Sequence, residues 1–233
     1  MDARSLAKEL WKEMDSFFPR PYPNKVWAVP QPIPGTAFFP GGLGLWLENG
    51  HGPIPFPDIM VVGQDFNTIT AYDRALQFGT EMHSSATWRA MRRVFPRLDV
   101  PFERCFFTNF YLGLRDSECG ETGMFPGARD ENFTRACARF FNLQMETFRP
   151  RFILALGIRP FRLLMQRVFE FDGVPGTLSA CDRIYRLQAD HGPVSLVALT
   201  HPSYYGVNVK HRTFETHAGM AAECEMIKAA FAL

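Results

Sequence analysis

Short apolar runs alternate with helical patterns in the part of the chain that follows residue 57. Each run is apolar on both faces of a pleat, as are strands of a parallel sheet that helices cover on two sides. The runs are Ile59–Gly63, Cys105–Thr108, Phe152–Leu156 and Val194–Leu199. A weaker strand is predicted at Arg183–Leu187.

Helices are predicted between these runs from apolar residues at helical spacing. They lie near Ser85–Phe95, Asp130–Phe148, Arg159–Phe169 and Lys210–Ala230. Alternation of strand and helix without an internal repeat predicts one α/β domain over residues 1–233. The expected fold is a three-layer αβα sandwich with a central, mainly parallel four-stranded sheet.

The first 57 residues have a different pattern. Leu6, Leu10, Met14 and Phe17 recur at helical spacing, which predicts an amphipathic helix that ends before Pro19. Residues 19–57, called the strap below, are rich in proline and glycine and predict irregular structure. The strap is also rich in aromatic and aliphatic residues, so we expect it to wrap around the body of the domain.

Composition and charge narrow the function classes. The chain has 25 Lys and Arg against 24 Asp and Glu, a net charge of +1, so any binding to nucleic acid requires a local basic patch. Five cysteines without a C-x-x-C pair argue against a disulfide framework, a zinc site and an iron–sulfur cluster. No apolar stretch reaches the length of a membrane span. These features predict a cytoplasmic protein that needs no metal or cofactor.

Polar side chains follow several of the predicted strands. Asp65 comes just after the first run, Asn109 ends the second, and His201 follows the fourth. In open α/β sheets the ligand lies beyond the carboxyl ends of the strands, so these side chains are expected at one edge. Taken singly, each has an ordinary structural alternative: a helix cap for Asp65, a turn for Asn109 and a buried structural histidine for His201.

With Gly63-Gln64-Asp65, the strand-terminal Asn109 and His201-Pro202-Ser203, the chain resembles the uracil-DNA glycosylase superfamily. The resemblance covers about residues 58–203 and leaves the strap unexplained. It implies hydrolysis of an N-glycosidic bond, in which positive charge develops on the sugar and negative charge on the leaving base. It gives Asp65 the role of orienting water and facing the sugar cation, and His201 that of hydrogen-bond donor to the base oxygen.

The resemblance also implies residues that recognise the base. Asn109 would pair with the carbonyl and the adjacent N–H of uracil and refuse cytosine, and Gln64 would contribute its backbone N–H. Phe78, ahead of Phe66, would stack on the base, although Phe78 as a core residue is the alternative. Asn67 stands where uracil-specific relatives have a tyrosine that excludes thymine, and Ser203 completes the expected substrate site.

Contacts with DNA are expected beyond the histidine loop. Tyr204 or Tyr205 would fill the gap left by a flipped nucleotide, while Lys210, Arg212 and Arg115 would contact phosphates. A solvated helix start explains Lys210 and Arg212 equally well.

The sequence therefore predicts a monomeric, monofunctional uracil-type DNA glycosylase with damaged DNA as its partner and no membrane association. Asn67 leaves a roomier pocket than tyrosine would, so a relative acting on another base or a nucleoside is an alternative. A DNA-binding module that cleaves nothing is the other, because a fold alone does not determine a function.

Overall fold

The computed structural model describes residues 2–18, 20–46, 55–80 and 85–232. Its helices are α1 (Ala3–Phe17), α2 (Ile69–Phe78), α3 (Ala86–Val94), α4 (Glu131–Phe148), α5 (Ile158–Leu163), α6 (Tyr205–Asn208) and α7 (Met220–Phe231). Its strands are β1 (Val26–Trp27), β2 (Ile59–Gly63), β3 (Cys105–Asn109), β4 (Leu114–Arg115), β5 (Phe152–Leu156), β6 (Tyr185–Ala189), β7 (Gly192–Leu199), β8 (Thr213–Phe214) and β9 (His217–Ala218).

The central sheet has five strands in the order β3-β2-β5-β7-β6. Four of them are parallel, as the apolar runs predict, and every residue of β2, β3 and β5 is buried. The fifth, β6, pairs antiparallel with β7 and replaces the four-stranded sheet of the prediction. Its exposure alternates along the strand because it lies at the edge, which explains its weak sequence signal.

Two apolar layers cover the sheet. Helices α1 and α4 supply buried residues such as Leu10 and Phe141 to one layer, and α3 and α7 supply residues such as Trp88 and Met226 to the other. This arrangement confirms the three-layer α/β fold. None of the helices in the described ranges is both long and apolar enough to cross a membrane.

The described part of the strap lies along the free edge of β3. The N–H of Phe39 donates to the Phe107 carbonyl at 3.0 Å, and the N–H of Phe107 donates to the Gly44 carbonyl at 2.7 Å. Trp11 of α1 also donates from Nε1 to the Pro40 carbonyl at 3.0 Å. The strap thus shields the backbone groups of an edge strand. Helix α1 ends at Phe17, which confirms the predicted end before Pro19. Residues 19 and 47–54 of the strap lie outside the described residues.

One helix was not predicted, and two helical predictions need correction. Helix α2 was not predicted because its buried residues, Tyr72 and Ala75, form only a narrow apolar face. The helix predicted from Lys210 begins at Met220, since residues 213–218 form the β8–β9 hairpin and Gly219 has a φ of 64°. The helix predicted over 159–169 is regular only in α5 and continues as a π-helical turn over Leu164–Val168.

Candidate functional site

The carboxyl ends of β2, β5 and β7 bring the predicted catalytic residues to one edge of the sheet. Asp65 lies two residues after β2, Gly157 follows β5, and His201 lies two residues after β7. Because β5 lies between β2 and β7, the carboxyl ends of β2 and β7 are two strand spacings apart, about 10 Å, and Gly157 follows the strand between them. Asn109 pairs in register with Gly63 on the other side of β2.

The Asp65 carboxylate forms a two-point ion pair with Arg115. Nε of Arg115 donates to Oδ1 at 2.8 Å, and its second terminal nitrogen donates to Oδ2 at 2.7 Å. Only 7% of the Asp65 side chain and 2% of the Arg115 side chain are exposed. Such a fork arrangement fixes the plane of the carboxylate as well as its position.

The remaining donors of Arg115 bind a neighbouring loop. They reach the carbonyl oxygens of Thr122, Gly123 and Met124 at 3.0 to 3.2 Å, so that all five N–H groups of the guanidinium have acceptors. This geometry corrects the expectation that Arg115 contacts phosphate, because the side chain is buried and its donors are already used.

Asn109 is held by the strap. Its Nδ2 donates to the Phe39 carbonyl at 3.0 Å, and its side chain lies so close to Gly63 that a Cβ there would collide with Oδ1. Glycine at position 63 therefore gives the amide room to lie across β2. The hydrogen bond to Phe39 fixes which end of the amide is nitrogen, and only 3% of Asn109 is exposed.

His201 is half-buried, and its tautomer follows from a backbone contact. The N–H of Ser203 donates to Nδ1 at 3.3 Å, so the neutral ring carries its proton on Nε2. Burial lowers the pKa of His201, and the nearby Asp65 carboxylate opposes that shift. Neutral imidazole with a donor at Nε2 is therefore favoured at pH 7.

The loop that carries His201 is fixed at both ends by Glu223 of α7. Oε1 of Glu223 accepts hydrogen bonds from the N–H of Thr200 at 2.6 Å and from Nε of Arg212 at 3.1 Å. Arg212 also donates to the Leu178 and Ala198 carbonyls. A phosphate contact by Arg212 is therefore wrong, because this side chain is buried and used inside the protein.

The aromatic candidates separate into buried and exposed rings. Phe66 is buried against Gly41 and Tyr72, which corrects its assignment as a base-stacking residue. Tyr205 is also buried, so its ring cannot enter a gap in DNA. In contrast Phe78 is 68% exposed, which excludes the alternative that it is a core residue, and Tyr204 is exposed beside His201.

The other predicted residues lie around this edge. Gln64 donates from Nε2 to the Gly123 carbonyl at 3.1 Å, which ties it to the loop that Arg115 holds. Oδ1 of Asn67 accepts a hydrogen bond from the N–H of Thr68 at 2.7 Å, so its side chain stabilises its own turn. The Ser203 hydroxyl lies 3.0 Å from that of Thr87 in α3, and Lys210 is exposed.

Sequence reasoning missed three contacts of the site: Arg115 with Asp65, the Phe39 carbonyl with Asn109, and Glu223 with both ends of the histidine loop. Two of them have a signal in the sequence. Arg115 directly follows an apolar segment, and Glu223 lies among apolar residues of a helix, as buried charged residues that have a partner do.

The described residues contain no cluster of three His, Cys, Asp or Glu side chains that could hold a metal ion. The cysteines are free thiols, and burial raises the pKa of Cys181 to about 11. The site therefore offers a carboxylate, an imidazole and an amide as its reactive and hydrogen-bonding groups.

Residues 50–221 match the family model described as the Uracil DNA glycosylase superfamily. The match covers more than half of the chain and includes Asp65, Asn109 and His201. No curated protein matches the chain.

Proposed function

Because the chain belongs to the uracil DNA glycosylase superfamily, we propose that it hydrolyses the N-glycosidic bond of uracil, or of a related damaged base, in DNA. The observation that carries this proposal is the placement of Asp65 and His201 on either side of Gly157 at the carboxyl edge of the sheet. The two residues supply a negative charge and a neutral donor.

These two groups fit the charges that develop during cleavage of the bond. The sugar becomes cationic as the base leaves, so the Asp65 carboxylate stabilises it and orients the attacking water. The leaving base becomes anionic at its carbonyl oxygen, which the Nε2–H group of His201 stabilises by a hydrogen bond. The Nε2–H group can donate this hydrogen bond while the histidine is neutral.

Asn109 supports selection of the base. One N–H of its amide is used by Phe39, which leaves Oδ1 and the second N–H for a ligand. That pair complements a carbonyl next to an N–H, as in uracil, and opposes the reversed edge of cytosine. Since Asn109 is almost completely buried, contact with a base requires an opening movement when DNA binds.

The exposed rings of Phe78 and Tyr204 suit the remaining steps. A base inside a duplex cannot reach the strand ends, so it must be flipped out and stacked. Among the rings that the sequence singled out, Phe78 and Tyr204 are exposed. Phe78 is assigned to the base and Tyr204, which lies beside His201, to the gap, while the exposed Lys210 is available to phosphate.

The Asp65–Arg115 ion pair favours a second candidate, a DNA-binding module that does not cleave. A carboxylate that is paired with a guanidinium stabilises a developing cation less than an unpaired one does, because the guanidinium offsets its charge. A function on another base or on a nucleoside is supported by Asn67, which is smaller than tyrosine and whose side chain is bound to the backbone N–H of Thr68.

Oligonucleotides that carry uracil, a thymine mismatch or hypoxanthine test the proposal, with alkaline strand scission as the measurement. We expect release of at least one base, and a loss of about 10²- to 10⁴-fold in Asp65→Asn with DNA affinity similar or higher. Asp58→Asn, at the opposite end of β2, is the matched control and should retain turnover. Binding without cleavage would favour the non-catalytic module, and full turnover in Asp65→Asn would refute the role of this carboxylate.

A further inference from the structure

We propose that Arg115 is a positioning residue, which holds the Asp65 carboxylate in the one orientation that acts on the substrate. This inference rests on the proposed function. It gives Arg115 a role through Asp65, with no contact to the substrate or to DNA.

The contact between the two side chains restricts every torsion of Asp65. A single hydrogen bond would let the carboxylate rotate about the bond that joins it to Cβ. The two parallel bonds, 2.8 and 2.7 Å long, place both oxygens in the plane of the guanidinium. Each oxygen keeps a further lone pair, so water can still hydrogen-bond to the carboxylate in a direction that Arg115 determines.

The guanidinium is itself restrained by other contacts. Arg115 lies in β4, where it pairs with Val26 of β1, and its backbone N–H donates to the Asn67 carbonyl at 2.9 Å. Its other side-chain donors are bound to carbonyls of the loop over Thr122–Met124. Asp65 is therefore held through the chain by β2 and through space by a side chain whose own N–H groups all have acceptors.

The burial of the pair supports a role beyond stability. Removing two charges from water costs free energy, and well-packed apolar residues are often as stabilising as a buried ion pair. The pair is almost completely enclosed at the carboxyl edge of the sheet, beside His201. Control of the geometry of a carboxylate is a function that an apolar replacement cannot supply.

The chain contains a matched pair for comparison. Arg104 binds Asp58 through the same two nitrogens, next to the amino ends of β3 and β2. That pair is partly exposed and lies at the opposite edge of the sheet from His201. It has the same chemistry without access to the proposed site.

The test measures kcat and KM for cleavage, together with DNA affinity, in Arg115→Lys and Arg104→Lys, on the oligonucleotide that the wild-type protein cleaves fastest. Lysine keeps the positive charge but cannot bind both carboxylate oxygens in one plane. We expect Arg115→Lys to lower kcat by about 10²-fold, the effect of a displacement of about 1 Å, with KM nearly unchanged. Arg104→Lys should leave kcat unchanged.

A double-mutant cycle separates positioning from a merely structural role. In the Asp65→Asn background, Arg115→Lys should cause no further loss of turnover, because its effect passes through the carboxylate. Equal losses in both backgrounds would overturn the proposal, as would an unchanged kcat in Arg115→Lys.

Asp65→Glu provides a second test if Arg115→Lys fails to fold, as judged by circular dichroism. This change keeps the charge and moves the carboxylate by one methylene group, so we expect a similar loss of kcat at unchanged KM. Full activity of Asp65→Glu would overturn the positioning role. Failure of the wild-type protein to cleave any oligonucleotide would overturn the proposed function as well, whereas cleavage with additive losses would overturn the role of Arg115 alone.

Discussion

Arg212 and Glu223 form an ion pair inside the protein, with 1% and 0% of their side chains exposed. Glu223 also accepts hydrogen bonds from the backbone N–H and the hydroxyl of Thr200, at 2.6 and 2.7 Å. Thr200 precedes His201, and Arg212 ends the same loop. One carboxylate of α7 therefore closes the loop that carries the imidazole and Tyr204.

Replacement of Glu223 by Gln should strongly destabilise the protein. The substitution leaves the Arg212 guanidinium buried without a counter-charge, which costs about 3–5 kcal/mol. Urea unfolding monitored by circular dichroism measures the loss. Glu225→Gln on the same helix is the control, since Glu225 pairs with Lys228 on the surface, where ion pairs contribute little. Similar midpoints for the two variants would contradict the importance of the buried pair.

The imidazole of His201 should titrate below its ordinary pKa of 6.5, because burial opposes its charged form. Proton NMR of the ring measures the midpoint. Asp65→Asn should lower the pKa further, since the Asp65 charge favours the imidazolium. Asp58→Asn, at the far end of β2, should leave the midpoint of His201 unchanged, and a rise in Asp65→Asn would contradict this electrostatic account.

The lowered pKa of His201 also predicts how the stability of the protein depends on pH. Between 6.5 and the lowered pKa, the unfolded chain binds a proton at His201 that the folded protein does not. The contribution of His201 to the free energy of unfolding is therefore complete above pH 6.5, and it is lost as the pH falls toward the lowered pKa of the folded protein. His201→Gln should flatten that part of the profile of unfolding free energy against pH, and an unchanged slope would contradict the prediction.

Gly157→Ala should impair cleavage as well as stability. Gly157 has a φ of 101°, and a Cβ there would lie 3.4 Å from Cβ of His201. The matched control is Gly192→Ala, because Gly192 has a φ of 129° and no atom near the added methyl group. Both variants should lose about 1–3 kcal/mol of unfolding free energy from backbone strain. Only Gly157→Ala should also lower kcat, because its strained backbone contacts His201, and equal turnover in the two folded variants would contradict a link between position 157 and His201.

Tyr204→Ala should weaken DNA binding with little effect on stability. The ring is exposed and lies beside His201, at 6.0 Å between centroids. Loss of one stacked base costs about 1–3 kcal/mol, which corresponds to a decrease in affinity of about 5- to 150-fold. Fluorescence anisotropy with a labelled oligonucleotide measures this change. Phe171→Ala, an exposed ring that packs against Tyr185 of β6, is the control. Equal affinities would contradict a role for Tyr204.

The parallel strands could be predicted from the sequence because a strand that is buried on both faces appears as a continuous apolar run. The runs at β2, β3, β5 and β7 are continuous and apolar, and each was predicted within two residues of its observed bounds. The sequence signal of the edge strand β6 was weaker because one of its faces is exposed and Leu187 on the other face is only partly buried. Helix α2 was not predicted because its apolar face is narrow.

The contacts and the burial of individual side chains could not be predicted from the sequence in the same way. Arg115 and Arg212 have the same chemistry as surface cations that contact phosphate, and their acidic partners lie 50 and 11 residues away in the chain. Phe66 and Phe78 are chemically identical, yet one ring is buried and the other is exposed. Local sequence carries no information on which long-range contact such a side chain makes.

The sequence by itself determined the parallel strands and, through them, that Asp65 and His201 follow strands whose ends share one edge. This follows from period and polarity, which are local properties of the chain. The tertiary structure alone decided that Arg115 restrains Asp65, that the Phe39 carbonyl orients Asn109 and that Glu223 closes the histidine loop. These contacts join segments far apart in sequence, so they exist only once the packing of the whole domain has brought their partners together.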